Sequence, residues 1–308
     1  MAYHSAKVYF DGSHYIAIPQ KAQPTTTKGS GFTDIEIDEK KKAFNVAYKN
    51  TKAKKRKEKL NELVKVMQPL FKSEEEAAVF IKAEIERIKR NIAVRRTRLA
   101  RKINLGEWDY FCTFTYDDKK HTEEEFRKKL SDTFKKMRKR YGWEYLGVWE
   151  RSPDKERLHF HGLFYTPRMK GELVERKDYS TKNHRMQTTL QNTYFEARFG
   201  RNDFSPIDPQ TLGQASAYLM KYIEKSGERI VYSKGTATYF ISDILEDDVV
   251  CTIGQEDRKL LLFDDFSCFN DGVYIGNVSR ETIKQMRIIL SFARRSLNES
   301  TVEVKGRK

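Results

Sequence analysis

Two histidines one residue apart mark the stretch of this chain whose side chains could do chemistry. His159 and His161 lie in residues 158–165, an apolar run typical of a β-strand. Because side chains alternate across a strand, both imidazoles are predicted on one face, about 6–7 Å apart. Such a pair can bind one divalent metal ion, or it can be two polar positions on an exposed strand.

A carboxylate upstream could complete this metal site. Residues 145–150 and 157–165 are predicted to form a β-hairpin with a six-residue connection. If Glu150 and Arg157 are opposite neighbours, Glu150 shares a face with the histidines, because opposed residues of an antiparallel pair do so. Two imidazoles and a carboxylate, with positions open for water and phosphate, suit Mg²⁺ or Mn²⁺. Alternatively, Glu150 is a surface carboxylate.

A downstream segment places two tyrosines and two lysines on one side of a predicted helix. The spacing i, i+3, i+4 and i+7 joins Tyr218, Lys221, Tyr222 and Lys225. Four residues of helical rise separate the two hydroxyls by about 6 Å along the axis. Beside a metal that polarises a phosphodiester, a phenolate could attack phosphorus while a lysine lowers the tyrosine pKa or holds the phosphate. Alone, the pattern also fits an amphipathic surface helix.

These residues, in this order, resemble the rolling-circle replication initiators of the HUH endonuclease superfamily over about residues 108–228. Phe111–Asp117 is similar to the first motif, an apolar-Thr-apolar-Thr strand. His159–Gly162 is similar to the second, the metal-binding His-apolar-His. Tyr218–Lys225 is similar to the third in its two-tyrosine form, typical of small bacteriophage and some plasmid initiators. The acidic ligand that the family often places on the preceding strand corresponds to Glu150.

The resemblance implies an α+β fold with a central antiparallel sheet of about five strands flanked by helices, related to the RNA-recognition-motif topology. It implies nicking of single-stranded DNA at a replication origin, leaving a 3′-hydroxyl and a 5′-phosphotyrosine link, with rejoining afterwards. Tyr222 is the expected primary nucleophile because it heads Tyr-x-x-Lys, and Tyr218 is the expected second. Lys221 and Lys225 are supporting groups, and the two histidines with Glu150 would hold Mg²⁺ or Mn²⁺.

Three alternatives remain. Transposases and conjugative relaxases belong to the same superfamily, but relaxases usually place the tyrosines before a cluster of three histidines. Single-strand transposases tend to be shorter, with one tyrosine, so the order here favours replication. The second alternative is a nucleic-acid-binding protein without catalysis, and the third is an initiator that binds an origin without nicking.

The chain of 308 residues has a formal net charge of +15, which favours a polyanionic partner such as nucleic acid. Residues 40–104 show a helical pattern with 21 Lys or Arg against 7 Asp or Glu. This surface could bind phosphate or be a solvated helix face. The candidate DNA-binding residues on it are Arg87, Arg90, Arg95, Arg96, Arg98 and Arg101.

The chain is expected to divide into four segments. These are a strand-like segment and linker (1–37), a basic helical region (38–105), the HUH endonuclease core (106–228) and a C-terminal α/β extension (229–308). Within the core, residues 122–141 are predicted as a helix, 166–205 as a polar, basic connection and 214–224 as the tyrosine helix.

No apolar run approaches the roughly 18–20 residues that span a bilayer, and the N-terminus lacks the apolar core of a secretory signal. The three cysteines are far apart, which gives no sign of zinc or disulfides. We therefore expect a cytoplasmic protein of a bacterial host that contacts no membrane. Its expected partners are single-stranded DNA at a replication origin and a host helicase or polymerase.

Overall fold

The computed structural model describes residues 3–19, 34–51, 55–152, 156–180, 184–225, 229–245 and 261–286. The chain divides into two compact units. The sheet unit comprises Met1–Lys21 with Arg96–Lys308, and the helical unit comprises Ala22–Arg95. Across the described ranges, no helix is both long and apolar enough to span a membrane.

Helices and strands are mixed along the chain, as the predicted α+β class requires. In order they are β1 (Tyr3–Phe10), β2 (Tyr15–Pro19), α1 (Asp34–Asn50), α2 (Arg56–Met67), a 3₁₀ turn (Gln68–Leu70), α3 (Glu74–Leu105), β3 (Tyr110–Thr115), α4 (Glu123–Tyr141), β4 (Glu144–Arg151), β5 (Leu158–Tyr165), β6 (Leu173–Ser180), β7 (Arg185–Asn192), α5 (Thr193–Arg198), β8 (Asn202–Pro206), α6 (Pro209–Lys225), β9 (Val231–Tyr232), β10 (Phe240–Leu245), β11 (Leu261–Phe263), β12 (Ser267–Asn270) and β13 (Val273–Asn277). A last helical segment covers residues 280–286.

The helical unit is built from α1, α2 and the first part of α3. Its core includes Phe44, Leu63 and Ile81, which are fully buried. Pro69 lies in the 3₁₀ turn after α2, where its missing N–H prevents the helix from continuing. Three glutamates in the first turn of α3 lie near the positive end of the helix dipole and so stabilise the helix. The helical pattern predicted over residues 40–104 is therefore present, interrupted by two breaks.

The central sheet of the sheet unit has the strand order β8-β3-β5-β4-β9. Every neighbouring pair in it is antiparallel. This confirms the predicted five-stranded antiparallel sheet flanked by helices, consistent with an HUH/RRM-like fold. Its fifth strand, β9, comes from the segment after residue 228.

One face of this sheet holds an aromatic core. Phe114 of β3 and Phe160 of β5 pack against Phe134 of α4, with ring centroids 5.3 and 5.1 Å apart. Helix α4 begins at a capping box, in which the Thr122 side chain accepts from the Glu125 N–H and the Glu125 side chain accepts from the Thr122 N–H. Because side chains alternate along each strand, the motif residues lie on the other face.

Residues 166–205 contain regular structure that the sequence pattern did not predict. Strands β6 and β7 pair as a hairpin, α5 follows, and β8 is an edge strand of the central sheet. The exposed face of the hairpin's outer half is mostly polar or charged and the other face carries Asp178 and Gln187, so it lacks the apolar alternation of a half-buried strand. The prediction of a mere connection was therefore wrong.

A second sheet joins the two ends of the chain. Its strand order is β10-β1-β2-β11, and all pairs are antiparallel. Ala6 and Val8 of β1 are fully buried against Phe240 and Ile244 of β10. The N-terminal strands and the C-terminal extension thus share one sheet and one core.

Candidate active site

The two histidines lie on the face of the central sheet opposite the aromatic core. His159 and His161 alternate with the fully buried Phe160 along β5. Their ring centroids are 6.0 Å apart. His161 is 8% exposed, so it sits under other side chains rather than on an open strand surface. The interpretation of the pair as two solvated polar positions therefore does not describe this strand.

Two threonines of β3 fix the orientation of the imidazoles. The register pairs Thr115 with His159 and Thr113 with His161. Thr115 Oγ1 lies 2.8 Å from His159 Nδ1, and Thr113 Oγ1 lies 3.0 Å from His161 Nδ1. Each Nδ1 is thereby occupied, and Nε2 is the nitrogen left for a metal. The sequence reasoning gave these threonines no role, although their alternation with Phe114 placed both on one face.

Glu150 is the cross-strand neighbour of His159 and not of Arg157 as expected. The connection closes between Ser152 and Arg157, where the Ser152 N–H donates to the Arg157 carbonyl. This moves the register by two residues, which keeps Glu150 on the predicted face because side chains alternate with a period of two. Glu150 Oε2 lies 2.9 Å from His161 Nε2, and both side chains are largely buried.

His159, His161 and Glu150 could hold a divalent metal. Burial, and secondly the nearby His161, lower the pKa of His159 to about 4, so its ring is neutral near neutral pH, as a metal ligand must be. Within the described ranges, no three His, Cys, Asp or Glu side chains already surround one ion position, and Glu150 contacts His161 Nε2 directly. The donor set of two imidazoles and a carboxylate nevertheless fits Mn²⁺ or Mg²⁺, whose binding would replace that contact.

Helix α6 brings both tyrosines against these residues. The Tyr222 ring stacks on His161 at 6.0 Å with an interplanar angle of 9°, and the Tyr218 ring meets His161 edge-on at 5.6 Å. Tyr222 is 7% exposed and Tyr218 is 38% exposed. The Tyr222 hydroxyl hydrogen-bonds to Tyr218 and to the Glu150 carboxylate. The fold therefore places two phenols beside two imidazoles and a carboxylate that are distant in sequence.

The electrostatics of the pair keep both tyrosines protonated. Burial is the main cause, and the neighbouring Tyr218 and Glu150 also raise the pKa of Tyr222 well above its ordinary value. Burial and Glu150 raise the pKa of Tyr218 too, although the hydrogen bond from Tyr222 partly offsets this. A bound cation would favour the phenolate and reverse the shift.

The predicted stripe of tyrosines and lysines is divided between the core and solvent. Tyr222 is buried in a cluster with Leu219, and Lys221 is exposed. Lys221 is not among the causes of the raised pKa of Tyr222. The side chain of Lys225 lies outside the described residues. Lys221 is therefore accessible to a substrate that approaches from solvent, and it does not pack against the Tyr222 ring.

Strand β8 adds charged groups that the sequence analysis missed. Asp203 is the cross-strand neighbour of Thr113 and lies on the same face of the sheet, where burial raises its pKa. Arg201 lies two residues before Asp203 and pairs with Asp178. Its positive charge contributes to the lowered pKa of His159. In this strand Asn202 and Phe204 are buried and Asp203 is partly exposed. An alternation of three residues is too short to predict a strand in a polar region of the sequence.

The six candidate DNA-binding arginines all lie on α3 but have different surroundings. Arg87 pairs with Glu84 at 2.6 Å in the helical unit, and Arg101 lies 3.9 Å from the Tyr9 ring centroid in the sheet unit. Arg96 is partly buried. The exposed members of the set, which solvent or a phosphate can reach, are Arg90, Arg95 and Arg98.

Comparison with protein families gives a match over the candidate site. A family model described as a replication-associated protein of the ORF2 type matches residues 109–227. This region runs from the start of β3 to the end of α6 and contains every residue of the candidate site. No curated protein and no solved structure matches the chain. The match supports a replication-initiator family and does not extend to the arginines of α3.

Proposed function

We propose that this protein initiates rolling-circle DNA replication as a two-tyrosine HUH endonuclease of a small bacteriophage or plasmid. The match to replication-associated proteins supports replication initiation. The proposal adds metal-dependent nicking and rejoining of single-stranded DNA at an origin, in the cytoplasm of a bacterial host. The observation that carries it is the stacking of Tyr222 on His161 together with its hydrogen bond to Glu150.

The face of the central sheet that carries the histidines provides the binding site for a phosphodiester. His159, His161 and Glu150 would hold Mg²⁺ or Mn²⁺, which would supply positive charge for the oxygens of the scissile phosphate. Thr113 and Thr115 hold the two rings in place through Nδ1. Arg201 lies at the His159 end of the site, where its guanidinium pairs with Asp178.

Nicking is then a transesterification at phosphorus. The Tyr222 hydroxyl gives up its proton, for which Glu150 is the neighbouring acceptor, and its oxygen attacks the scissile phosphorus. The bond from tyrosine oxygen to phosphorus forms as the bond from phosphorus to the 3′ oxygen breaks. The 3′ oxygen takes up a proton and leaves as a hydroxyl, while the 5′ end stays on the protein. Because this link conserves the energy of the broken bond, rejoining needs no ATP.

The two tyrosines have different access to a DNA strand. Tyr222 lies deepest, against His161 and Glu150, and is the expected first nucleophile. Tyr218 is more exposed and its ring lies 4.9 Å from that of Tyr222. A second phenol this close can attack the next phosphodiester while the first is occupied, which fits the resolution of a copied unit.

The test is adduct formation on circular single-stranded DNA. The full-length protein is incubated with a labelled pool that includes a demonstrated cognate origin, with Mn²⁺ or with EDTA, and resolved by denaturing electrophoresis. We expect a covalent adduct with Mn²⁺ only. Tyr222→Phe keeps the ring that stacks on His161 but should abolish the first adduct, and Tyr218→Phe should nick without completing a second transfer. Tyr141→Phe, at a tyrosine outside the site, is the matched control and should react normally.

Three results would contradict the proposal. An adduct that persists in EDTA would exclude the metal-dependent step. An adduct that survives the loss of both hydroxyls would exclude these nucleophiles. Tight DNA binding without any adduct on the cognate origin would leave a binding protein, and His159→Ala would then bind and behave like the parent chain.

A further inference from the structure

The outer half of the β6–β7 hairpin exposes two large side chains directly opposite each other. Tyr179 is 52% exposed and Met186 is 59% exposed, and the two are cross-strand partners. The next pair on that face, Lys177 and Thr188, is exposed as well. An aromatic and a thioether paired on an open face, beside a cation, form a contact surface rather than an isolated exposed residue.

The opposite face of the hairpin is held within the sheet unit. Arg176 pairs with Glu196 of α5 at 3.0 Å, and Asp178 pairs with Arg201 of the β8 segment. Thr189, the cross-strand partner of Arg176, is buried. The hairpin is therefore fixed along its inner face and offers its outer face to a partner.

The charge of this segment identifies the class of partner. Residues 176–186 contain four Lys or Arg and one acid, Asp178, whose charge is offset by Arg201. Lys177 lies on the outer face, and Arg185, the cross-strand partner of Ser180, lies on the other face. Both are exposed, and no ion pair joins either to another described residue. A basic surface with an aromatic ring and a flexible apolar side chain is complementary to nucleic acid.

We propose that the β6–β7 hairpin is a ribbon that binds double-stranded DNA beside the single strand to be nicked. This inference deepens the proposed function and rests on it. A two-stranded antiparallel ribbon fits the major groove of B-DNA, which is about 12 Å wide. Lys177 and Arg185 bind phosphates of the duplex, and Tyr179 and Met186 reach the base edges in the groove.

The ion pair of Asp178 with Arg201 connects the ribbon to the active site. The Arg201 carbonyl accepts from the Thr115 N–H at 2.9 Å, and Thr115 is the cross-strand neighbour of His159, so the ribbon stands at the histidine end of the catalytic face. A duplex held by the ribbon presents its adjoining single strand at that end of the site. The ribbon thus selects a junction between duplex and single strand, as in the stem and loop of a DNA hairpin.

The experiment measures binding of the full-length chain to two fluorescein-labelled probes by anisotropy. One probe is a duplex and the other a single strand of the same length and composition, and EDTA is present throughout. The variants are Lys177→Gln/Arg185→Gln and Tyr179→Ser/Met186→Ser. The matched control is Lys136→Gln/Lys139→Gln, two exposed lysines on α4. Thermal melting verifies that each variant is folded.

We expect each ribbon variant to lower the duplex affinity about tenfold while the single-strand affinity stays within error. For Lys177→Gln/Arg185→Gln, the plot of log affinity against log salt should become about 1.8 units less negative, as for two lost phosphate contacts. The α4 control should change the two probes equally or not at all.

Two results would overturn the ribbon. Unchanged duplex binding would show that the hairpin does not contact DNA, and equal losses on both probes would show a surface for single strands. The outcome is separable from the proposed function because anisotropy in EDTA requires no tyrosine chemistry. A parent chain that forms adducts while its ribbon variants bind duplex normally refutes only this inference.

Discussion

At the scale of single residues, the hydroxyls of Thr113 and Thr115 set how the histidines can act. Each accepts or donates at Nδ1 of one imidazole, at 3.0 and 2.8 Å. An imidazole whose Nδ1 is held in this way presents Nε2 in a fixed direction, which strengthens metal binding without adding a ligand. The threonines of the first motif are thus positioning residues for the second.

Thr115→Val should therefore weaken metal binding while preserving the shape of the side chain. We expect the affinity for Mn²⁺, measured by calorimetry on the full chain, to fall about 10–100-fold. Thr115→Ser keeps the hydroxyl and should bind nearly as tightly as the parent. If the valine variant binds Mn²⁺ normally, the hydroxyl does not orient His159.

At the scale of elements, strands β4 and β5 approach closely because they carry opposed glycines. Gly147 and Gly162 are cross-strand partners, and the ring of Phe160 lies over both. A Cβ on Gly147 would be 2.4 Å from the His161 carbonyl oxygen and 2.5 Å from the Phe160 ring. Backbone cannot shift here without moving His161, so the glycine pair supports the geometry of the site.

Gly147→Ala should destabilise the protein through this overlap. We expect the free energy of unfolding in urea to fall by about 1–3 kcal/mol or more. The matched change is Gly213→Ala in α6, where an added Cβ meets nothing within 4 Å. That variant should gain up to about 1 kcal/mol, because alanine favours a helix over glycine. A neutral Gly147→Ala would show that β4 and β5 can separate without cost.

At the scale of the whole chain, the first strands complete a sheet whose other strands are near the C-terminus. β1 lies between β2 and β10, and its Val8 is fully buried opposite Phe240. The order of this sheet therefore depends on contacts between residues more than two hundred positions apart. We therefore expect a destabilising substitution in β1 to destabilise β10 as well.

Val8→Asp should expose that dependence, because an unpaired carboxylate in this core costs several kcal/mol. We expect amide hydrogen exchange to accelerate in peptides covering Phe240–Leu245 as well as in β1. Val46→Asp, at a residue of α1 that is 61% exposed, is the control and should change stability by less than about 0.5 kcal/mol. Faster exchange confined to the N-terminal peptides would contradict the shared sheet.

The sequence by itself determined the local geometry of the candidate catalytic groups. Alternation along a strand puts His159 and His161 on one face, and helical periodicity puts Tyr218 and Tyr222 on one side of α6. Both follow from backbone repeats of two and 3.6 residues, which act between near neighbours and leave a pattern in the residue types. The α+β class and the five-stranded sheet were implied by the resemblance of these motifs to a known superfamily, and not by the repeats themselves.

Only the tertiary structure decided which distant groups meet. Glu150 faces His159 instead of Arg157 because the connection closes between Ser152 and Arg157, a choice that the residue types do not encode. Asp203 and Arg201 reach the site through an edge strand too short and polar to be predicted. The packing of Tyr222 on His161, like the pairing of β1 with β10, depends on burial of apolar surface between remote segments. That free energy belongs to the assembled core and leaves no periodic trace in either segment alone.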